Sequence, residues 1–242
     1  MLPRVVDILK GAQDMWRHRG EAADNADFQV ELVRCVWDDP YNQLGAATAE
    51  QEHCLALHPN GESIILFKTV LYGFEATPLI LGRLSATVGR MWQAFLDDHQ
   101  GAVQAHMEEQ LVMIQGPKKT RDTLVALLVY TARVLGLNLS YERGSRGSRT
   151  KLMGMNLAVD LKAKEVVIDF PKEMIMQLVE YLRWWKERIP VRELRSVVGK
   201  LSVLAGVIPR IKWMETNCFK VMVNAEEEMS IEREQGLSSG HS

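Results

Sequence analysis

The stretch Val103–Gly116, VQAHMEEQLVMIQG, decides the fold that this sequence predicts. Two apolar runs, Val103–Met107 and Leu111–Ile114, flank an acidic pair, Glu108 and Glu109. This pattern predicts a tight β-hairpin that carries two adjacent carboxylates at its tip. Adjacent carboxylates repel each other, so the turn costs free energy unless a cation or a basic group neutralises it. Two interpretations stay open at this point, a solvated acidic turn and a functional carboxylate pair.

Composition restricts the classes of protein to which the chain can belong. The chain has 242 residues, of which 47% are hydrophobic, and its formal net charge is −2. This charge gives no global basic signature, so any contact with nucleic acid must come from local patches. Three cysteines far apart in the sequence form neither a disulfide framework nor a zinc pattern, which favours a reducing, intracellular setting. The longest apolar stretch, Leu124–Leu139, contains Arg133 and is too short to span a bilayer, so we expect no membrane partner.

Hydrophobic periodicity and turn residues predict an α+β order of elements around the hairpin. In chain order they are a helix over Leu2–Arg19, a strand over Phe28–Trp37, strands over His53–Leu57 and Ser63–Val70, a helix over Leu79–Asp97, the hairpin, a helix over Asp122–Leu135, a strand over Leu137–Tyr141, a loop over Glu142–Lys151, strands over Leu152–Val159 and Glu165–Ile168, and helices over Pro171–Lys186 and Val191–Ala205. Another helix is expected after Pro209, and a disordered acidic tail from Asn224 onward.

This order resembles the palm of a reverse transcriptase followed by the start of a thumb. The likeness is to the reverse transcriptases of tyrosine-recombinase-type and related protist retroelements, and it covers roughly Phe28 to Trp213. Phe67–Arg83, FKTVLYGFEATPLILGR, is similar to the family's phenylalanine/leucine-glycine-x-x-x-alanine-proline segment, with Gly73, Pro78 and Arg83 on its positions. The resemblance implies that this loop and helix contact the template base and shape the nucleotide pocket.

The resemblance also implies a division of the chain into parts. These are a finger remnant over 1–27, a polymerase-like palm with an antiparallel sheet over 28–168, a helical thumb-like segment over 169–223 and the tail over 224–242. Val191–Gly206 is similar to the thumb helix that follows the palm. Only about 35 residues precede Asp38, so we expect the fingers to be largely missing.

The hairpin and the first strand carry the acidic motifs of this resemblance. His106–Glu109, HMEE, falls where the family has tyrosine-x-aspartate-aspartate, and Val36–Tyr41, VWDDPY, falls where it has aspartate-x-x-aspartate-alanine-phenylalanine/tyrosine. The resemblance implies RNA-directed DNA polymerisation with Mg²⁺ or Mn²⁺ and a nucleic-acid template and primer. The catalytic and metal-binding carboxylates that it implies are Asp38, Glu108 and Glu109. The nucleotide-binding residues that it implies are Tyr41, Gly73, Pro78, Arg83 and Arg143.

The acidic motifs also depart from the family. Val36 stands at the leading aspartate position and cannot bind metal, while Asp38 projects from the same strand face one pleat repeat further along. Glu108 and Glu109 keep the charge but move each carboxylate out by one methylene. A misplacement of about 1 Å can cost roughly a hundredfold in rate. We therefore expect little or no polymerase activity, with Asp38 and Glu108 on one side of a single sheet and close enough to share a cation.

Two basic features predict weak contact with nucleic acid that is not sequence-specific. The helix Val191–Ala205 places Arg192 and Arg195 on one face with small residues, and the loop Glu142–Lys151 is rich in arginine, glycine and serine. The residues predicted to bind nucleic acid are Arg146, Arg149, Lys151, Arg192, Arg195 and Lys200. A solvated basic face and a mobile surface loop are the alternative interpretations. Three functions remain possible: an active polymerase, a non-catalytic remnant that binds nucleic acid, and a purely structural domain.

Overall fold

The computed structural model of the chain describes residues 5–17, 28–74, 76–97, 99–160, 165–184 and 191–223. Backbone contacts divide the chain into two compact units. The first comprises Met1–Leu152 and Asn156–Ile168, and the second comprises Met153–Met155 and Asp169–Ser242. The fold class is mixed α and β with antiparallel sheets, as the sequence predicts. The predicted disordered tail lies outside the described residues.

Helices and strands alternate along the first unit, and helices fill most of the second. In chain order the elements are α1 (Val5–Arg17), β1 (Gln29–Val36), α2 (Thr48–Gln51), β2 (Leu55–Leu57), β3 (Ile64–Leu66), α3 (Thr77–Gln93), β4 (Gly101–His106), β5 (Glu109–Gly116), α4 (Lys118–Val134), β6 (Ser145–Gly147), β7 (Arg149–Leu152), β8 (Met155–Asp160), β9 (Glu165–Asp169), α5 (Lys172–Trp184), α6 (Val191–Val207), a 3₁₀ turn (Pro209–Ile211) and α7 (212–223). The strands form a main sheet in the order β4-β5-β1-β6, a β2-β3 pair and a three-stranded sheet in the order β7-β8-β9.

The predicted hairpin is present and lies beside the predicted first strand. Strands β4 and β5 pair in antiparallel fashion from Gly101↔Ile114 to His106↔Glu109, and the two residues between them form the turn. Strand β5 also pairs along its whole length with β1. The continuous apolar run in β5 is typical of a strand that is covered on both faces. The structure therefore confirms the central prediction from VQAHMEEQLVMIQG.

Different helices cover the two faces of the main sheet. On the α3/α4 face, alternate strand residues such as Val33, Trp37 and Val112 pack against Trp92 of α3 and Leu128 of α4 in one buried core. On the opposite face, which we call the α1 face, helix α1 packs against β4 and β5. The period-2 alternation of a strand explains why neighbouring residues of β1 belong to different cores.

Small residues allow α3 to lie very close to the hairpin. A Cβ atom built on Gly89 would lie 3.0 Å from the Cβ of Ala105 in β4, which is tighter than ordinary packing. A Cβ on Gly101 would collide with the backbone carbonyl of Met113. These two glycines therefore permit approaches that a larger side chain would prevent.

Two helices begin earlier than the sequence predicts. Helix α3 begins at Thr77 rather than Leu79, and α4 begins at Lys118 rather than Asp122. In α3 the proline lies within the first turn, where its missing N–H is not needed, and in α4 Pro117 occupies the N-cap position. The predicted end of this helix is confirmed within one residue, and Gly136 follows it with a φ of +77° that glycine readily adopts.

The segment Glu142–Lys151, predicted as a loop, is partly strand. Strand β6 pairs with β1 through Arg146↔Val33, and β7 begins at Arg149. The predicted second hairpin is consequently a three-stranded sheet, because β7 adds to the two predicted strands. The predicted strand Leu137–Tyr141 is reduced to one bridge between Leu139 and Trp37.

The second unit has a helical core of its own. An apolar stripe of α6 is buried together with Leu178 of α5 and Cys218 of α7. The helix expected after Pro209 is α7, which follows the 3₁₀ turn. Within the described parts of the chain, no helix combines the length and apolar character that a membrane crossing requires.

Candidate functional site

The acidic hairpin carries a row of three residues across three strands on the α1 face. The register places Val36 of β1 opposite Glu109 of β5, and Glu109 opposite His106 of β4. Directly opposed residues in antiparallel strands project from the same face with Cβ atoms about 4.5–5.5 Å apart. The valine at the leading acidic position of the resemblance is therefore in register with the second glutamate. It is 2% exposed and supplies no ligand atom.

Glu109 is neutralised by an arginine of the same sheet. Arg34 lies two residues before Val36 on β1, so it shares the α1 face and sits diagonally from Glu109. Its Nη2 donates to Oε1 of Glu109, and its Nη1 donates to the carbonyl oxygen of Arg143 at 3.1 Å. Only 20% of the Arg34 side chain and 18% of the Glu109 side chain are exposed. This pair was not predicted, because finding it requires the strand register.

Asp38 has a second arginine as its partner. The Nη2 of Arg143 donates to Oδ1 of Asp38 at 3.2 Å and to the carbonyl oxygen of Trp37 at 2.7 Å. This pair is open to solvent, with 49% of the Arg143 side chain and 63% of the Asp38 side chain exposed. Asp39, the next residue, has a φ of +42°, so the chain turns away from the sheet there. Arg143, which was predicted to bind a nucleotide, therefore has an acidic side chain as a partner.

Glu108 occupies the hairpin turn and faces different neighbours. Its carbonyl oxygen accepts the N–H of Trp37 at 2.9 Å, and Met107 beside it has a φ of +49°. Burial, the negative charge of Glu108 and the nearby Tyr72 raise the pKa of the Tyr41 hydroxyl above its ordinary value. The rings of Tyr41 and Tyr72 meet edge to face with centroids 5.3 Å apart.

The two carboxylates that were expected to share a cation thus have separate neighbours. Asp38 contacts Arg143, while Glu108 lies near enough to Tyr41 to affect its pKa. It is Glu109, and not Glu108, that projects onto the face of Val36.

His106 is half-buried at the end of the row. Burial lowers the pKa of its imidazole, and the charges of Glu109 and Glu108 oppose this effect without overcoming it. Its Nδ1 is buried and has no hydrogen-bond partner within the described residues. A neutral imidazole and a carboxylate opposite it could supply two ligands to a metal ion, but the third residue of the row is a valine and supplies none.

The residues at the hairpin do not fit a pair of divalent cations. Two such ions need several carboxylate oxygens that converge on one space. Here Glu109 and Asp38 each contact a guanidinium group, and Val36 contributes none. Across the described ranges, no three His, Cys, Asp or Glu side chains are placed to hold a metal ion.

The predicted nucleotide-binding segment meets the hairpin tip through α3. A Cβ on Gly82 would lie 3.8 Å from Sδ of Met107, so the first half of α3 borders the turn. Gly73 has a φ of +104° in the preceding loop, Pro78 lies in the first turn of α3, and Arg83 is exposed. Tyr41 borders the same core.

A pocket of about 320 Å³ opens elsewhere, along β1 and the chain before β6. Its lining includes Arg34, Val36, Tyr141 and Ser145 but none of the predicted nucleotide-binding residues.

One arginine of the segment predicted as a basic loop is held by carboxylates of β1 and α4. Arg146 donates to Oε2 of Glu31 and to Oδ1 of Asp122, both at 2.6 Å. Glu31 also contacts Arg121, whose side chain is only 3% exposed. Arg146 therefore holds β6 against β1 and α4. Arg149 and Lys151 are exposed on β7.

The predicted basic face of α6 lies in the second unit. Arg192 and Arg195 are exposed, and so are the small residues that follow at helical spacing. The hydroxyl of Ser202 donates to Oε1 of Glu215 at 2.7 Å, which places a negative charge beside this face. Lys200 lies over the ring of Tyr181, with its Nζ 5.5 Å from the centroid.

Neither the comparison with protein-family models nor the comparison with curated proteins finds a match to this chain.

Proposed function

We propose that this chain is a reverse-transcriptase-like palm, followed by a helical thumb-like segment, with little or no polymerase activity. The single observation that supports it best is the register of the main sheet. A carboxylate hairpin pairs with the strand that carries the second acidic motif, and the two motifs meet at Val36 and Glu109. A strand followed by a helix and an acidic hairpin that returns to the same strand is the arrangement that the resemblance implies.

The loss of activity follows from the side chains at that meeting point. Val36 offers no oxygen, and the charge of Glu109 is used by Arg34. Residues that act as one catalytic unit lose most of the rate when one member is lost. The remaining acidic positions, Asp38 and Glu108, have separate neighbours and do not compensate.

Primer extension on an RNA or DNA template, with Mg²⁺ or Mn²⁺, tests this proposal. We expect no extension by the unmodified chain, little from single changes, and a measurable gain from V36D/E108D/E109D if ligand geometry alone is at fault. The matched control is V167D/E142D/E165D, which makes the same chemical changes at exposed positions of the first unit. Robust extension by the unmodified chain would refute the proposal.

A non-catalytic nucleic-acid-binding role is the second candidate. The exposed arginines of α6 beside small residues favour it, because such a face admits a phosphate backbone closely. We expect R192A/R195A to weaken binding equally for unrelated sequences and to reduce its salt dependence. Fluorescence anisotropy measures this, and R90A/R133A, which removes two exposed arginines of the first unit, is the control. Equal affinities of the two variants would remove the support for this role.

We also propose that the chain works in a reducing, intracellular setting. Its cysteines are free and buried, and burial raises the pKa of the Cys35 thiol to about 12. Free cysteines are typical of proteins that work in reducing compartments.

A further inference from the structure

Arg34 has a position that the proposed loss of activity does not by itself require. Replacement of the leading acid by Val36 would be enough to remove a ligand. Yet β1 also places a guanidinium on the same face, two residues before Val36 and in contact with Glu109. The pair is about four-fifths buried on both sides. A buried carboxylate without a cation is strongly unfavourable, so Glu109 needs a positive partner at this depth.

The second carboxylate is neutralised in a related way. Arg143 contacts Asp38 and the carbonyl oxygen of Trp37, and its own carbonyl oxygen accepts Nη1 of Arg34. The two arginines are therefore linked, and each contacts one acidic residue. Two positive groups and two carboxylates stand where the resemblance implies carboxylates and two divalent cations.

We propose that Arg34 is a built-in counter-ion that replaces a divalent cation on Glu109. The carboxylate of Glu109 is then neutralised by a side chain of the chain itself. A divalent cation that approached Glu109 would meet the positive charge of Arg34 within a few ångströms, where the repulsion is weakly screened. The inference rests on the proposed function only for the identity of the ion that is replaced.

Removing Arg34 should convert this region into a weak metal site. His106 lies directly opposite Glu109, so one imidazole and one carboxylate become available together. Methionine is the suitable replacement because it keeps an unbranched, flexible chain without charge. R34M/E109Q also replaces the carboxylate of Glu109 by a neutral amide, and so should bind no metal.

The experiment measures Mn²⁺ binding by electron paramagnetic resonance, together with the melting temperature in Mn²⁺ and in chelator. We expect the unmodified chain to bind no Mn²⁺ in the millimolar range and to melt at the same temperature in both conditions. R34M should bind Mn²⁺ with a Kd at least roughly tenfold below the highest Mn²⁺ concentration at which the unmodified chain shows no binding. It should also melt at a higher temperature in Mn²⁺ than in chelator. R121M is the matched control, because it breaks another arginine–glutamate pair of the same strand.

R34M removes the guanidinium group that contacts Glu109, so this variant is refolded with and without Mn²⁺. Folding that occurs only with Mn²⁺ supports the proposal. Failure to fold in both conditions, or the same response to Mn²⁺ in R34M and R121M, would overturn it. Mn²⁺ binding by the unmodified chain that E109Q abolishes would also overturn it.

Failure of this inference and failure of the proposed function give different results. An R34M chain that binds no metal leaves the inactive palm standing, because Val36 alone removes a ligand. Primer extension by the unmodified chain refutes the proposed function.

Discussion

The two faces of β1 both carry arginine–carboxylate clusters, and the clusters differ in depth and in the number of elements they join. On the α3/α4 face, Glu31 contacts Arg121 of α4 and Arg146 of β6. On the α1 face, Glu109 contacts Arg34 within the sheet. The side chain of Arg121 is 3% exposed and that of Arg34 is 20% exposed. The first cluster therefore fastens a helix and an edge strand to the sheet, whereas the second balances charge beside the hairpin tip.

The largest effect in this comparison is expected from R121M. Loss of this side chain leaves Glu31 buried with only Arg146, and also removes the hydrogen bond from Nε of Arg121 to the carbonyl oxygen of Gly116. The free energy of unfolding should fall by about 3 kcal/mol, near the low end for a broken buried pair. Urea denaturation measures it, with the exposed R133M on the same helix as control. Equal losses in the two variants would mean that the depth of the cluster has no energetic importance.

A smaller effect is expected when both partners of a pair are replaced, and it should differ between the two clusters. R34M should cost about 2 kcal/mol, and R34M/E109Q should recover most of that loss because neither buried charge remains. R121M/E31Q should recover less, since Arg146 loses the charge of one of its two carboxylate partners. Denaturation of both double-mutant cycles gives the coupling energies. The comparison fails if the two cycles recover to the same extent.

Arg146 distinguishes a structural role from a nucleic-acid contact. R146M should cost about 1 kcal/mol, because its partners Glu31 and Asp122 lie on β1 and α4. The R146M variant should bind nucleic acid with the same affinity as R149M, which alters an exposed arginine nearby in sequence. Denaturation and anisotropy on the same samples test both statements. A loss of affinity in R146M alone would restore the phosphate-binding interpretation of this residue.

The smallest effect is expected from the exposed pair on the α1 side. R143M should cost at most about 0.5 kcal/mol, since a solvent-exposed ion pair contributes little. The cost should shrink further at 1 M salt, where the screening length is about 3 Å. Denaturation at low and high salt measures it. A loss as large as that of R34M would show that the two arginines act as one unit.

The sequence predicts the main sheet well because its signals are local and strong. Alternation and an acidic turn define the hairpin, and an apolar run that ends before Pro40 defines β1. The sequence places the first residues of α3 and α4 two and four residues too late. Each proline lies in the first turn or at the N-cap of its helix, so it does not stand before the helix as a boundary.

The parts that were missed depend on which residues become neighbours. Strand β6 has three residues and ends in Gly147, too short for any periodicity. The partners of Arg34, Arg143 and Arg146 lie between 24 and 115 residues away in sequence, so no local pattern announces them. In the sequence these arginines look like surface charge, and only the register shows which carboxylates they meet.

The contact between Gly89 and Ala105 has a consequence for motion. Because α3 lies directly against β4 at this contact, the two elements cannot part there without opening the core on the α3/α4 face. Amide hydrogens in the middle of β4 and β5 should therefore exchange with solvent only when the whole first unit unfolds. The hairpin turn should therefore keep a fixed position within the first unit, and a partner would have to bind it there.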